Sequence, residues 1–477
     1  MKNVLVLGAS GYIGSQLLMQ LCNKGYNVTA AARQIDYLEA RTLPHSHLTL
    51  VYLDLADREA TLALVPQFDI VYFLVHGMAQ GHDFVDYEVS LAENFKAALQ
   101  QSKVEQVIYL SALQPQTGNS EHLQARKITG DILRQSNTPI TELRAGVIIG
   151  PGSAAFEIMR DFVYNLPALI TPKWVESKAN PIALENLNYY LLQLASHPTG
   201  EHQLYEAGGP DILSYREQFK HICHASERPY RLYATSLLTP KMASYWLGMV
   251  TSVPSNIGSA LLAGLEHDFI ADSKLIEERF PQPLIGFKQM VNASIKQEGK
   301  FVLSNVWGFD PAALKRWQPG YGYYPKQTGA TIETTLDTKQ LWTMIKTIGN
   351  PKDPYFFANA LWRTREWLDI FFGGNKPIRR SPQGPELKIG DCIDSWKVIR
   401  CEKDQFLSLL FGMKGPGLGR LEFTVTDHGD KRTLNITAWW HPQGFKGLLY
   451  WFAMMPAHLF IFKGMVKAIV HKAKELP

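Results

Sequence analysis

The sequence predicts an α/β protein in its first half, with a parallel sheet flanked by helices, joined to a separate α+β module in its last third. Three observations carry this. An apolar strand at residues 4–7 runs into glycines at three-residue spacing and then into a helical pattern. Strand-like and helical runs alternate from there to about residue 150, which is how parallel sheets are built. From about residue 300 the alternation stops, and β-like runs follow one another ahead of one long C-terminal helix.

The glycine turn is the most informative stretch. Residues 12–24 read as a helix, with Ile13, Leu17, Leu18 and Leu21 apolar and Gly25 as its stop. The turn Gly8, Ala9, Ser10, Gly11, Tyr12, Ile13, Gly14 therefore lies between a strand and the helix after it. A dinucleotide pyrophosphate needs glycines there, for the tight turn, for close backbone approach and for helix–strand packing.

The following strands add candidates at their carboxyl ends. Strand 2, residues 28–32, is closed by Arg33, where a site that prefers NAD carries Asp or Glu. A planar cation suits a 2′-phosphate, so NADP(H) is expected over NAD(H). Strand 3, residues 48–53, runs into Asp54 and Leu55, with Asp54 a candidate acceptor for the adenine amino group. Strand 4, residues 70–75, ends at Val75, His76 and Gly77, where backbone can line the cofactor. A helix is expected near 86–101, strand 5 at 107–110 ending at Ser111, a helix near 123–135, and strand 6 at 140–143. In a parallel sheet these tips converge on one crevice.

Composition bounds the rest. At 477 residues the chain is too long for one ordinary domain. The net charge of +4 gives no support to a nucleic-acid partner. Cys22, Cys223, Cys392 and Cys401 lie far apart with no CxxC pair, and read as buried thiols of a cytoplasmic protein. His221, Cys223 and His224 have no second ligand pair nearby, so no metal is expected. No signal peptide precedes the first strand.

With these residues in hand, a resemblance can be stated. GASGYIG, Asp54, Ser111 and LRAGVIIGPG resemble the extended and atypical short-chain dehydrogenase/reductase superfamily. The resemblance implies an NAD(P)-binding Rossmann fold over residues 1–235. It also implies an interleaved substrate-side subdomain over 151–300. In active members a Ser or Thr, a Tyr and a Lys four residues after it do the chemistry. Ser111 matches the first. The Tyr-x-x-x-Lys does not appear, and the segment that should carry it reads Glu121-His-Leu-Gln-Ala-Arg-Lys127. His122 and Arg126 share a helix face at this spacing.

Two readings stand side by side. In one, His122 takes the Tyr role and Arg126 or Lys127 the Lys role, giving an NADPH-dependent reductase of a hydrophobic carbonyl or quinone-like compound. In the other, the domain binds the cofactor without turning it over and serves as a sensor or scaffold. Sugar-nucleotide epimerisation ranks third, because it needs the Tyr.

Residues 301–477 form the C-terminal α+β domain. They contain Trp307-Gly308, Trp317, a loop at 373–384 with Arg379 and Arg380, β-like runs between 394 and 441, and a helix from 447 to about 474. GDCIDSWKV, MKGPGLGRLEF, WWHPQGFKGLLYWFAMMPAHLFIF and YGYYPKQTG resemble the domain of uncharacterised function found in ybjT-like NAD(P)-binding proteins. That domain is similar to helix-grip, START-like folds, which implies a hydrophobic small molecule or lipid as ligand. The last helix is apolar on nearly every face in its first half and basic in its second. Burial, or a role as cavity wall, is expected over peripheral membrane contact.

Overall fold

The structure, a computed structural model, describes the chain except residues 40–41, 78–83, 116–119, 237–239, 263, 306–317, 319, 372–385, 413–414 and 476–477. Trp307-Gly308, Trp317 and the 373–384 loop with Arg379 and Arg380 thus lie outside the described residues. Two compact units divide the chain, Met1–Phe309 and Asp310–Pro477.

In the first unit seven strands form one parallel sheet. They are β1 (Asn3–Leu7), β2 (Asn27–Ala32), β3 (Leu48–Tyr52), β4 (Ile70–Phe73), β5 (Gln106–Ala112), β6 (Ile140–Ala145) and β7 (Gln203–Ala207). Their order is β7-β6-β5-β4-β1-β2-β3, and every pairing is parallel. β1 and β4 are buried on both faces, which is why they read as unbroken apolar runs. Val4 and Val6 point into one core with Leu17 and Leu21 of helix α1 (Tyr12–Asn23). Leu5 and Leu7 point into the other with Leu91 and Phe95 of helix α2 (Phe84–Leu99). The strand order reverses between β1 and β4, and their following helices lie on opposite faces. That is the switch point at which such sheets bind ligands.

β7 was not legible in the sequence. It is an edge strand with alternating burial, and only Tyr205 and Ala207 are buried. Residues 151–300 belong to the first unit. There Arg160, 1% exposed, sits 3.0 Å from Glu157, and the Asp161 carboxylate accepts from the Ser252 amide and hydroxyl at 2.6 Å each. This buried network ties the helix Ala154–Asn165 to the segment around residue 252.

The second unit is a six-stranded antiparallel sheet. β8 (Lys326–Thr334), β9 (Cys392–Ile393), β10 (Trp396–Glu402), β11 (Phe406–Phe411), β12 (Gly417–Asp427) and β13 (Arg432–Pro442) run in the order β8-β13-β12-β11-β10-β9. β8 is a second edge strand, and its sequence KQTGATIET has no continuous apolar run to announce it. It pairs with β13 along its whole length. The final helix, α3 (Gly444–Lys474), packs one face into the sheet core. Trp451, Phe462, Met465 and Ile469 join Leu409, Phe423 and Ile436 there.

Two expectations are corrected in this unit. The first half of α3 is not buried all round, because Phe445, Leu449, Phe452, Leu459 and Phe460 are each 40–60% exposed. Cys22 and Cys223 are buried, but Cys392 is exposed on the short edge strand β9.

His458 lies on α3 beside the rings of Trp451 and Phe462, at 5.5 and 5.6 Å. Burial, and then the Arg365 charge, lower its pKa from the ordinary 6.5 to about 4. Between those values the unfolded chain holds more protons than the folded one, so stability rises with pH across the window. Acidification from about pH 6.5 toward 4 is therefore expected to lower the urea midpoint of this unit, and His458→Phe to flatten that dependence. Tryptophan fluorescence reads it, since Trp342, Trp362, Trp396, Trp440 and Trp451 all lie in this core. Identical pH profiles for parent and variant would refute the assignment.

Candidate functional site

The glycine turn closes the switch point from below. Gly8 has φ +81, and a Cβ there would stand 3.0 Å from the Leu74 carbonyl group. A Cβ on Gly14 would stand 2.5 Å from the Gly8 oxygen and 2.9 Å from Ala9 Cα. No side chain can be added without moving backbone. The Gly11 amide donates to the Gly8 carbonyl at 3.0 Å, and the Ala9 amide to the Ala31 carbonyl at 3.3 Å, tying the turn to β2. The N-terminus of α1 has no side-chain cap and no acidic residue in its first turn. Helix-terminal amides and the positive end of the dipole are thus open to a phosphate. These residues fit a dinucleotide pyrophosphate.

The neighbouring tips flank the same edge. Arg33, exposed at the end of β2, donates from Nη1 to the Tyr87 hydroxyl at 3.1 Å. Asp54 follows β3 and accepts from the Ala56 amide at 3.0 Å, and the Leu55 carbonyl accepts from Asn94 at 3.0 Å. His76 follows β4, and burial and then the Arg126 charge lower its pKa from 6.5 to about 4.

Behind His76 lies a clasp. Arg126 projects from the helix Glu121–Leu133 and is 6% exposed. Its Nη1 donates to the Val75 carbonyl at 2.8 Å, and its Nη2 donates to the Leu110 carbonyl. Glu88 of α2, 3% exposed, accepts from the Gly77 amide at 2.5 Å and stands 3.8 Å from Arg126 Nη1. The Tyr109 hydroxyl donates to the Arg126 carbonyl at 2.8 Å, and the guanidinium lies 4.9 Å from the Tyr109 ring centre. One buried cation thus pins the carboxyl ends of β4 and β5, and its carboxylate partner pins the turn between β4 and α2.

This arrangement corrects the roles expected of residues 121–127. Arg126 faces strand carbonyls and is not at hand for a ribose. Lys127 is exposed. The Val75 carbonyl and the Gly77 amide, expected to line the cofactor, are occupied by the clasp. His122 is half-buried, and its Nδ1 is buried with no hydrogen-bond partner among the described residues. Burial, then Arg126, then His76 lower its pKa to about 3. The imidazole is neutral near pH 7, so the charged form that would donate a proton is not populated. Ser111 is buried at the end of β5, two residues from Tyr109. Tyr109 is fully buried, and burial pushes its pKa up to about 12. Sequence reasoning missed Glu88 and Tyr109. The signal was there for Glu88, a carboxylate in the apolar stripe that Leu91, Ala92 and Phe95 continue.

Removing one member of a buried ion pair costs about 3–5 kcal/mol, because the other charge is left unpaired. Arg126→Met is expected to lower the unfolding free energy of the first unit by about that much. Glu88→Gln combined with Arg126→Met should cost less than the sum of the single changes. Urea denaturation of the three variants checks this, and a loss under about 1 kcal/mol for Arg126→Met would show the clasp to be dispensable.

Residues 8–160 match the family described as NAD(P)H-binding. Residues 327–465 match a family described as a protein of unknown function, DUF2867. No curated protein matches the chain. Among solved structures, a nucleoside-diphosphate-sugar epimerase from Staphylococcus aureus is 15% identical with a TM-score of 0.50, over 61% of this chain and 100% of that one. The UDP-glucuronic acid 4-epimerase from Bacillus cereus, solved with UDP-glucuronic acid and NAD, is 15% identical with a TM-score of 0.49, over 63% and 99%. At such identity the likeness is one of fold. The first unit therefore carries an NAD(P)-binding Rossmann domain whose fold is similar to that of a nucleoside-diphosphate-sugar epimerase.

Proposed function

We propose that the protein binds NADP(H) without turning it over, as a redox-state sensor or scaffold whose C-terminal domain takes a hydrophobic ligand or a partner. One observation carries this reading. The cation at the place where the resemblance expects the catalytic Lys is spent on two strand carbonyls and Glu88. The histidine at the Tyr place is neutral at working pH. The glycine turn holds the pyrophosphate in this reading. Arg33 supplies the 2′-phosphate contact, with its fork steadied by Tyr87. Epimerisation, the activity named for the two structural neighbours, needs the tyrosine acid/base that residues 121–127 lack. In the C-terminal domain, a long helix laid across an antiparallel sheet supports the helix-grip, START-like comparison.

A second reading, the reductase, draws on Ser111 at the end of β5 and on the partnerless His122 Nδ1. Ser111 would hold a carbonyl or quinone oxygen in it. Turnover separates the two. Purified protein with NADPH is expected to show no substrate-dependent oxidation across hydrophobic aldehydes, ketones and quinones. Oxidation that Ser111→Ala abolishes would overturn the sensor reading. Cofactor choice is read by calorimetry. NADPH should bind more tightly than NADH, and Arg33→Ala should weaken NADPH by roughly 10-fold or more while sparing NADH. Equal affinities in the parent would sink the NADP(H) preference.

A further inference from the structure

We infer that α3 is an interfacial helix whose outward stripe docks on an anionic lipid surface. Phe445, Leu449 and Phe452 follow at four- and three-residue steps, Leu459 lies seven residues further with Phe460 beside it, and all five are exposed. At about 100° per residue they fall within one arc of roughly 100° on the helix surface. The opposite arc supplies Trp451, Phe462 and Met465 to the sheet core. The helix therefore has two apolar faces, and folding of the second unit uses only one of them.

Charge identifies the occupant. Lys463, Lys467 and Lys474 continue along the stripe beyond Phe460, all exposed. No acidic residue occurs between Gly444 and Lys474. An apolar front followed by a cationic tail on the same line complements acyl chains at one end and headgroup phosphates at the other. The helix is long and apolar enough to cross a membrane by length and composition. Crossing would strip its inner face from the sheet core, so the geometry favours lying on the surface over spanning it.

The test uses the full chain with vesicles of phosphatidylcholine alone and of phosphatidylcholine with phosphatidylglycerol. The protein should co-sediment with the anionic vesicles, less so at high salt. Leu449→Asp with Phe452→Asp should abolish binding while leaving the urea midpoint of the second unit unchanged. Lys463→Glu with Lys467→Glu should weaken it by more than about 10-fold. Failure to co-sediment with either vesicle would overturn the proposal. So would a self-associated protein that the Leu449→Asp, Phe452→Asp variant renders monomeric, or an unfolding midpoint that falls in that variant. Those two results would assign the stripe to a second copy or to the interior of this chain. None of these outcomes bears on the cofactor.

Discussion

The Arg126–Glu88 pair is the constraint on which the cofactor edge depends. A parallel sheet ends in a row of strand carbonyls, and the chain must turn away from them within a few residues. Arg126 takes two carbonyls there, Val75 two residues past β4 and Leu110 of the adjacent β5. Only a planar fork reaches both at once, and a lysine ammonium would not span them in the same way. Glu88 compensates the buried charge and takes the Gly77 amide. A buried pair is weak evidence of stability by itself. Here the hydrogen bonds around it fix the path of residues 75–77, the wall that stands opposite the glycine turn across the switch point.

The same pair governs the chemistry. Burial, and then the Arg126 charge, keep His122 neutral. The geometry of the pair withdraws Arg126 from any contact with a ribose. The departure from the Tyr-x-x-x-Lys pattern is thus more than the loss of a hydroxyl. The replacement residues form a structural unit with their own hydrogen bonds. Binding makes fewer demands than turnover. It needs an open helix N-terminus and close backbone at Gly8 and Gly14, and both are in place.

Much of this edge was legible in the sequence, for local reasons. Gly14 is dictated by Gly8 and Ala9 a few residues before it, and Gly8 by its own positive φ as well as by the distant Leu74, so their spacing announces the turn. β1 and β4 are buried on both faces and read as VLVL and IVYF. β7 and β8 were missed because edge strands bury one face and carry polar residues on the other. The fate of Arg126 could not be read either. Its spacing from His122 places both on one helix face, but the carbonyls it meets belong to residues 16 and 51 positions away. Composition likewise showed that α3 is apolar, and only packing shows which arc the sheet consumes.

That last distinction bears on what the second unit does. A helix that serves only as a lid over a sheet needs one apolar arc, and polar residues on the other arc would be more soluble at no cost to the fold. α3 carries Phe and Leu on the outer arc, with Pro456 between Phe452 and Leu459, and then changes to Lys along the same line. Mutational drift on an unused surface would scatter such residues over the arc. An ordered change from apolar to cationic along one line is what a surface with an apolar interior and anionic headgroups selects. Because the inner arc holds the helix to the sheet, contact through the outer arc leaves the fold of the unit intact, and a lipid surface can engage or release it without unfolding.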